Sequence, residues 1–318
     1  MEYRRLGTAG LKVSEVALGA WLTFGADVDR ETAKACVRAA VDNGINFLDN
    51  ADAYARGQAE QVVGNVIKEL GLLRKDLVLS SKVFWPMSDG VNDRGLSRKH
   101  IMESIEGSLQ RLGTDYVDLY FCHRYDPDTP VEEVVRVMDD LVHQGKVLYW
   151  GTSVWNAPQI ERAVGIAERL NAYSPQVEQP RYNMLDRHIE LEVMPVCGRF
   201  GIGLTVFSPL AQGLLTGKYN AGMPEDSRAA RGSWLDGELN ERNLTAVRRL
   251  SVLAAELGLS MSQLALAWIL RRTEISSVIT GATRAEHVLS NAQAAGVHLT
   301  PDALERIDDI LENVSDNE

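Results

Sequence analysis

The 318-residue chain predicts an α/β protein of the (β/α)8 TIM-barrel class, with extra helices and a long loop after the seventh strand. Three observations carry that prediction. Strand-like and helix-like segments alternate eight times, which is the pattern of parallel sheets closed by helices. No G-x-G-x-x-G turn follows any strand, which counts against an open doubly wound sheet. No Pro/Gly/Ser-rich linker or shift in composition divides the chain, so 1–318 reads as a single domain.

The units follow in order. "VSEVALGA" (13–20) reads as a strand, and 30–44 as a glycine-closed helix with Ala33, Val37, Ala40 and Val41 on one face. "INFLDNA" (45–51) pairs with a helix at 59–71, and "LVLSSKV" (77–83) with one at 97–113, N-capped by Ser97. "YVDLYFCH" (116–123) precedes a helix at 130–145 with proline in its first turn, and "VLYWGTS" (147–153) precedes 157–170. The second half is less regular. It holds a short strand within 174–183, a helix at 187–200, a strand at 203–209, a helix at 259–272, a strand at 276–282 and helices at 284–294 and 301–313, the last capped by Thr300. Residues 212–240 show little periodicity, and a loop of that length is more often functional than accidental. Its "GLLTGKY" departs from a P-loop in glycine spacing and in the Tyr219 that replaces Ser/Thr.

Composition narrows the function. The formal net charge of −11 argues against nucleic acid as a partner. Cys36, Cys122 and Cys197 are dispersed, without the spacing of a disulfide framework or a zinc site. No apolar run is long enough to insert in a membrane and the start lacks a leader-like segment, so the expectation is a cytoplasmic protein.

In such a barrel, chemistry gathers at the C-terminal ends of the strands. The second strand ends in Asp49 with Tyr54 in the next turn, the third in Lys82 and the fourth in His123; Ser153, Gln179 and Ser208 end the fifth, sixth and seventh. Strand alternation places Phe47 with Asp49, Val78 and Ser80 with Lys82, and Leu119 and Phe121 with His123. A lysine at the end of a buried strand needs a counter-charge, and the neighbouring strand supplies Asp49. Each residue alone has an ordinary reading as a turn, cap or packing residue. Together they suit carbonyl reduction: the ammonium would lower the Tyr54 phenol, Tyr54 would donate a proton, and His123 would orient the carbonyl oxygen. No side chain donates hydride, so a cofactor is implied. A barrel lyase using Lys82 as a Schiff base is the rival, disfavoured because Asp49 would keep that lysine charged. Asp52 takes no role beyond the turn.

With these residues in view, the chain resembles the aldo-keto reductases. The likeness runs through "YRRLGTAGLKVSEVALGAW", "FLDNADAY", "LSSKV", "YFCHRYDPDTPVEE", "GKVLYWGTS", "EQPRYN", "FSPLAQGLLTGKY" and "GATRAEHVLSN", nearly the whole chain in order. It is most similar to the branch with the potassium-channel β-subunits and the bacterial glyceraldehyde-3-phosphate reductases. The resemblance implies a tetrad of Asp49, Tyr54, Lys82 and His123, and NADPH/NADP+ lying across the barrel mouth. Channel β-subunits usually have asparagine at the histidine position, so His123 favours an active reductase over a channel-partner role with NADP(H) sensing.

By the same resemblance, Trp21 would lie near nicotinamide and substrate, and Ser153 and Gln179 would hold the carboxamide. Phe207 stands where a Tyr or Trp usually stacks. Ser208, Leu210, Ala211 and Gly213 match the pyrophosphate loop, with Lys218 and Arg228 reaching phosphates. Gly281, Thr283, Arg284, His287 and Asn291 match the adenosine end. A small aldehyde or ketone would meet Trp21, Phe24, Tyr54, Phe84, Trp85, His123, Arg124 and Trp155, and an anionic one would suit the mouth if Arg56 or Arg124 faces it. The branch often forms homo-oligomers.

Overall fold

A hairpin of two short antiparallel strands, β1 (Tyr3–Arg5) and β2 (Lys12–Ser14), precedes the repeating units. In the computed structural model the eight strands that follow are parallel: β3 (Val16–Gly19), β4 (Phe47–Asp49), β5 (Val78–Val83), β6 (Val117–Cys122), β7 (Val147–Ser153), β8 (Val177–Gln179), β9 (Gly203–Val206) and β10 (Ile275–Gly281). They close in the order β10-β3-β4-β5-β6-β7-β8-β9, which is the expected barrel. Residues 1–21, 23–25, 28–224, 235 and 237–312 are described by the structure.

The helices are α1 (Arg30–Asp42), α2 (Gln58–Leu70), α3 (Arg98–Leu112), α4 (Val131–His143), α5 (Ala157–Leu170), α6 (Val193–Phe200), α7 (Glu241–Glu256), α8 (Met261–Leu270), α9 (Ala285–Ala292) and α10 (Pro301–Glu312). Local chemistry sets their ends. Asp29 and Ser97 accept the Thr32 and His100 amides, and Asn156–Gln159 and Ser260–Gln263 form capping boxes. Thr300 caps the last helix through the Ala303 amide. Among the described residues, no single helix is long and apolar enough to cross a membrane.

Two apolar layers result from strand alternation. One side of the strands packs on the helices. The other fills the barrel with Ala17, Phe47, Val78, Leu119, Phe121, Val177 and Ile279, and the hairpin adds Leu6, Ala9 and Val13. The hairpin therefore closes the end opposite the strand C-termini. This corrects the reading of 13–20 as one strand. The chain breaks at Glu15, whose buried carboxylate accepts Arg4 Nε at 2.6 Å and the Gly296 amide at 3.0 Å. The helix expected at 187–200 starts at Val193, after a separate turn at His188–Glu190.

Candidate active site

The register aligns Gly19 with Asp49, Phe47 with Val78, and Lys82 with Phe121. Asp49 continues the inward stripe of Phe47, and Lys82 that of Val78 and Ser80. Their side chains meet at the barrel mouth. Lys82 Nζ lies 2.9 and 2.7 Å from the two Asp49 oxygens, 2.7 Å from the Asn50 carbonyl oxygen and 3.0 Å from the Tyr54 hydroxyl. Four oxygens thus surround a group with three N–H donors. Lys82 is 0% exposed and Asp49 3%. Asp49 Oδ1 also accepts Ser80 Oγ at 2.7 Å and Gln179 Nε2 at 3.0 Å.

His123 follows β6, with its amide on the Val83 carbonyl at 2.9 Å. Its ring meets Tyr54 edge-on at 5.8 Å between centroids and Trp85 at 6.3 Å. Nδ1 is buried without a hydrogen-bond partner. Phe84 packs on Trp85, and the Arg124 guanidinium sits 5.6 Å from the Trp85 ring centroid while donating to the His123 carbonyl. Trp21 is half-buried, two residues beyond β3. Arg56 is exposed. Arg124 is partly buried. Phe24 and Trp155 are both 2% exposed in the apolar cluster on which Tyr54 and Phe84 also pack, and Tyr125 packs on Trp155.

A second cluster borders the mouth after β9 and β10. Ser208, Ala211 and Gln212 hold positive φ (51°, 44° and 55°), followed by Gly213 at 103°. Strained backbone of this kind concentrates at ligand-binding sites. The Asn183 amide fixes the turn by donating to the Ser208 carbonyl at 3.0 Å. A Cβ on Gly213 would meet Lys218 Cε and Nζ at 3.0 Å, so this glycine leaves room for the lysine above it. Gln212 Oε1 is buried without a partner. From the next loop, Thr283 Oγ1 lies 3.4 Å from His287 Nδ1. The charges of Arg284 and Lys218 act on that imidazole, which burial already holds below its ordinary value. Asn291 is buried on α9, whereas Gly281, Thr283 and Arg284 are exposed. Leu210 and Phe207 are partly buried beside the turn. Ser153 Oγ donates to the Gln179 carbonyl at 2.9 Å. Arg228 lies outside the described residues.

Residues 15–312 match the family model described as Aldo/keto reductase family. The chain belongs to the aldo/keto reductase family. Similar proteins include a "Probable voltage-gated potassium channel subunit beta" of Arabidopsis thaliana, 48% identical over 98% of this chain and 97% of that protein. One so named from Oryza sativa subsp. japonica is 46% identical over 98% and 97%. A "Putative voltage-gated potassium channel subunit beta" of Schizosaccharomyces pombe is 45% identical over 97% and 93%.

The electrostatics of this aldo/keto reductase differ from the expectation in one respect. Burial pushes the Tyr54 phenol well above its ordinary value and the Asp49 charge adds to that, while Arg124 works against it. Burial likewise lowers Lys82, and the attraction of Asp49 opposes it only in part. A dry site penalises every ionised form and Asp49 offsets much of the ammonium's charge, so burial outweighs the lowering expected from Lys82 and the net direction is upward. His123 falls well below its ordinary value through burial and then the charges of Lys82 and Arg124, so its imidazole is neutral.

Some participants had no separate signal in the sequence. Ser80 was visible only as a member of Lys82's stripe. The Asn50 carbonyl is a backbone group, and Asn183 and Gln212 enter through tertiary placement, which spacing does not reveal. Asp52, read as a turn residue, is 0% exposed and bonded to α3.

Proposed function

We propose that this protein reduces small aldehydes and ketones to alcohols with NADPH, Tyr54 donating the proton. The observation that carries the reading is the buried contact of Lys82 with both Asp49 oxygens and with the Tyr54 hydroxyl at 3.0 Å, beside a neutral His123. Tyr54 is held protonated, the state a proton donor needs. When it donates, its phenolate forms beside the ammonium, which gives a stabilisation absent from the starting state. The neutral His123 ring has an N–H to orient the carbonyl oxygen. Arg124 supports a preference for carbonyls that carry an anionic group.

Bound NADPH supplies the reducing equivalent that no side chain can. The residues present fit it: the turn at 208–213, with left-handed backbone at Ser208, Ala211, Gln212 and Gly213, would take the pyrophosphate, and Lys218 with Arg284 the 2′-phosphate. Ser153 and Gln179 would hold the carboxamide, Gln179 exchanging its present bond to Asp49. Trp21 and Phe207 would flank the ring.

Loss of nicotinamide absorbance with methylglyoxal or 4-nitrobenzaldehyde tests the reading. Tyr54→Phe should lower kcat about 100-fold or more, and near-normal turnover would sink the role of Tyr54. A second reading, a channel-partner protein that senses NADP(H), draws on the names of the three relatives. Saturable NADPH binding without turnover of any carbonyl would favour it.

A further inference from the structure

The segment that carries Tyr54 is strained and held from one side. Ala55, Arg56 and Gly57 follow Tyr54 with φ of 48°, 51° and 84°. Left-handed backbone is unfavourable for a non-glycine residue, so Ala55 and Arg56 keep this shape only if their surroundings impose it. Downstream, a Cβ on Gly57 would sit 2.7 Å from Arg111 Cδ, and Arg111 Nε binds the buried Glu60 at 2.6 Å. Upstream stands Asp52. Its Oδ1 accepts the Ala53 amide at 2.6 Å and its Oδ2 accepts Ser104 Oγ at 2.8 Å. Tyr120 donates to the same Ser104 oxygen at 3.2 Å. The Asp52 amide points at the Lys82 carbonyl at 3.4 Å. Ser104 and Arg111 both lie on α3, so one helix grips the turn before and after the tyrosine.

Asp52 is fully buried, and no cation is hydrogen-bonded to it among the described residues. An aspartate serving only to cap a turn would sit at the surface, where it is cheaper to keep charged. We propose that Asp52 is a positioning residue for Tyr54: by tying the Ala53 amide to Ser104 of α3, it holds the strained turn so that the phenol stays on the Lys82 ammonium. The proposal rests on the reductase reading for its kinetic consequence, but its structural content is independent of that reading.

The test uses the full chain with Asp52→Asn, Asp52→Ala and Ser104→Ala. Asparagine keeps an acceptor for the Ala53 amide and a polar group for Ser104; alanine keeps neither. With NADPH and 4-nitrobenzaldehyde, Asp52→Ala should lower kcat about 10-fold or more while the NADPH Kd, read by fluorescence, stays within about 2-fold. Asp52→Asn should recover most of that loss. Ser104→Ala should show a smaller decrease of the same kind, and it serves if Asp52→Ala does not fold. A 3-fluorotyrosine placed at position 54 gives a readout without turnover. One ¹⁹F resonance is expected in wild type and Asp52→Asn, and a displaced or second resonance in Asp52→Ala or Ser104→Ala. The proposal is overturned if Asp52→Ala keeps kcat within about 2-fold of wild type, if NADPH affinity falls in step with kcat, or if the ¹⁹F signal is unmoved in both the Asp52→Ala and Ser104→Ala proteins. Should wild type reduce no carbonyl, the reductase reading fails and the ¹⁹F comparison alone decides the role of Asp52.

Discussion

Replacing Lys82 with methionine keeps the apolar stem and deletes the charge. Asp49 then stays 3% exposed with only the neutral donors Ser80 and Gln179. At the observed 2.7 Å, the lost attraction is about 6 kcal/mol for an effective dielectric of about 20. Part of it only offsets the cost of burying the pair, so the measured loss should be about 3–5 kcal/mol, the usual result of stranding one partner of a buried pair. Urea unfolding at pH 8, followed by tryptophan fluorescence, should show that deficit. The double variant Asp49→Asn/Lys82→Met strands no charge and should recover at least about 2 kcal/mol. The reasoning fails if Lys82→Met costs under about 1 kcal/mol at pH 8, or if the double variant is no more stable than the single.

Two further outcomes follow from the same site. Burial, reinforced by Glu60 and opposed by Ser104, the Ala53 amide and Arg111, pushes the Asp52 carboxyl up to about 7, with Tyr54, Lys82 and Tyr120 also within electrostatic reach. That folded value lies above the unfolded one, so stability is lost as pH rises from about 4 to 7, with a slope approaching about 1.4 kcal/mol per pH unit. Urea midpoints of Asp52→Asn should lack this share of the slope, and a wild-type-minus-variant difference that is flat from pH 4.5 to 8 would refute it. Lys218→Ala should raise the KM for NADPH about 10-fold, the equivalent of about 1.4 kcal/mol, and leave that for NADH nearly unchanged. Equal effects on both cofactors would remove Lys218 from the 2′-phosphate site.

The barrel was legible because its cause is local. Most strands are short apolar runs, several helices carry an N-cap, and eight repeats of that pattern admit few closed solutions. The inward stripes ending in Asp49, Lys82 and His123 were legible for the same reason: a period of two fixes which side chains share a face. The hairpin was not. Its two strands are three residues each, and the break at Glu15 depends on Arg4 and on Gly296, 281 residues further along.

By itself, then, the sequence determined the alternation of the eight barrel strands with helices, the strand ends that carry Asp49, Lys82 and His123, and the pairing demanded by a charge at the end of a buried strand. Only the tertiary structure decided the protonation balance and the clamp. Whether Tyr54 rises or falls depends on how dry the site is and on how completely Asp49 offsets Lys82, both of which are sums over neighbours from several strands. Asp52 changed from a turn residue to a buried anchor because α3 brings Ser104 to it, a contact 52 residues away in the chain. Periodicity reports which way a side chain points, but not what it meets there.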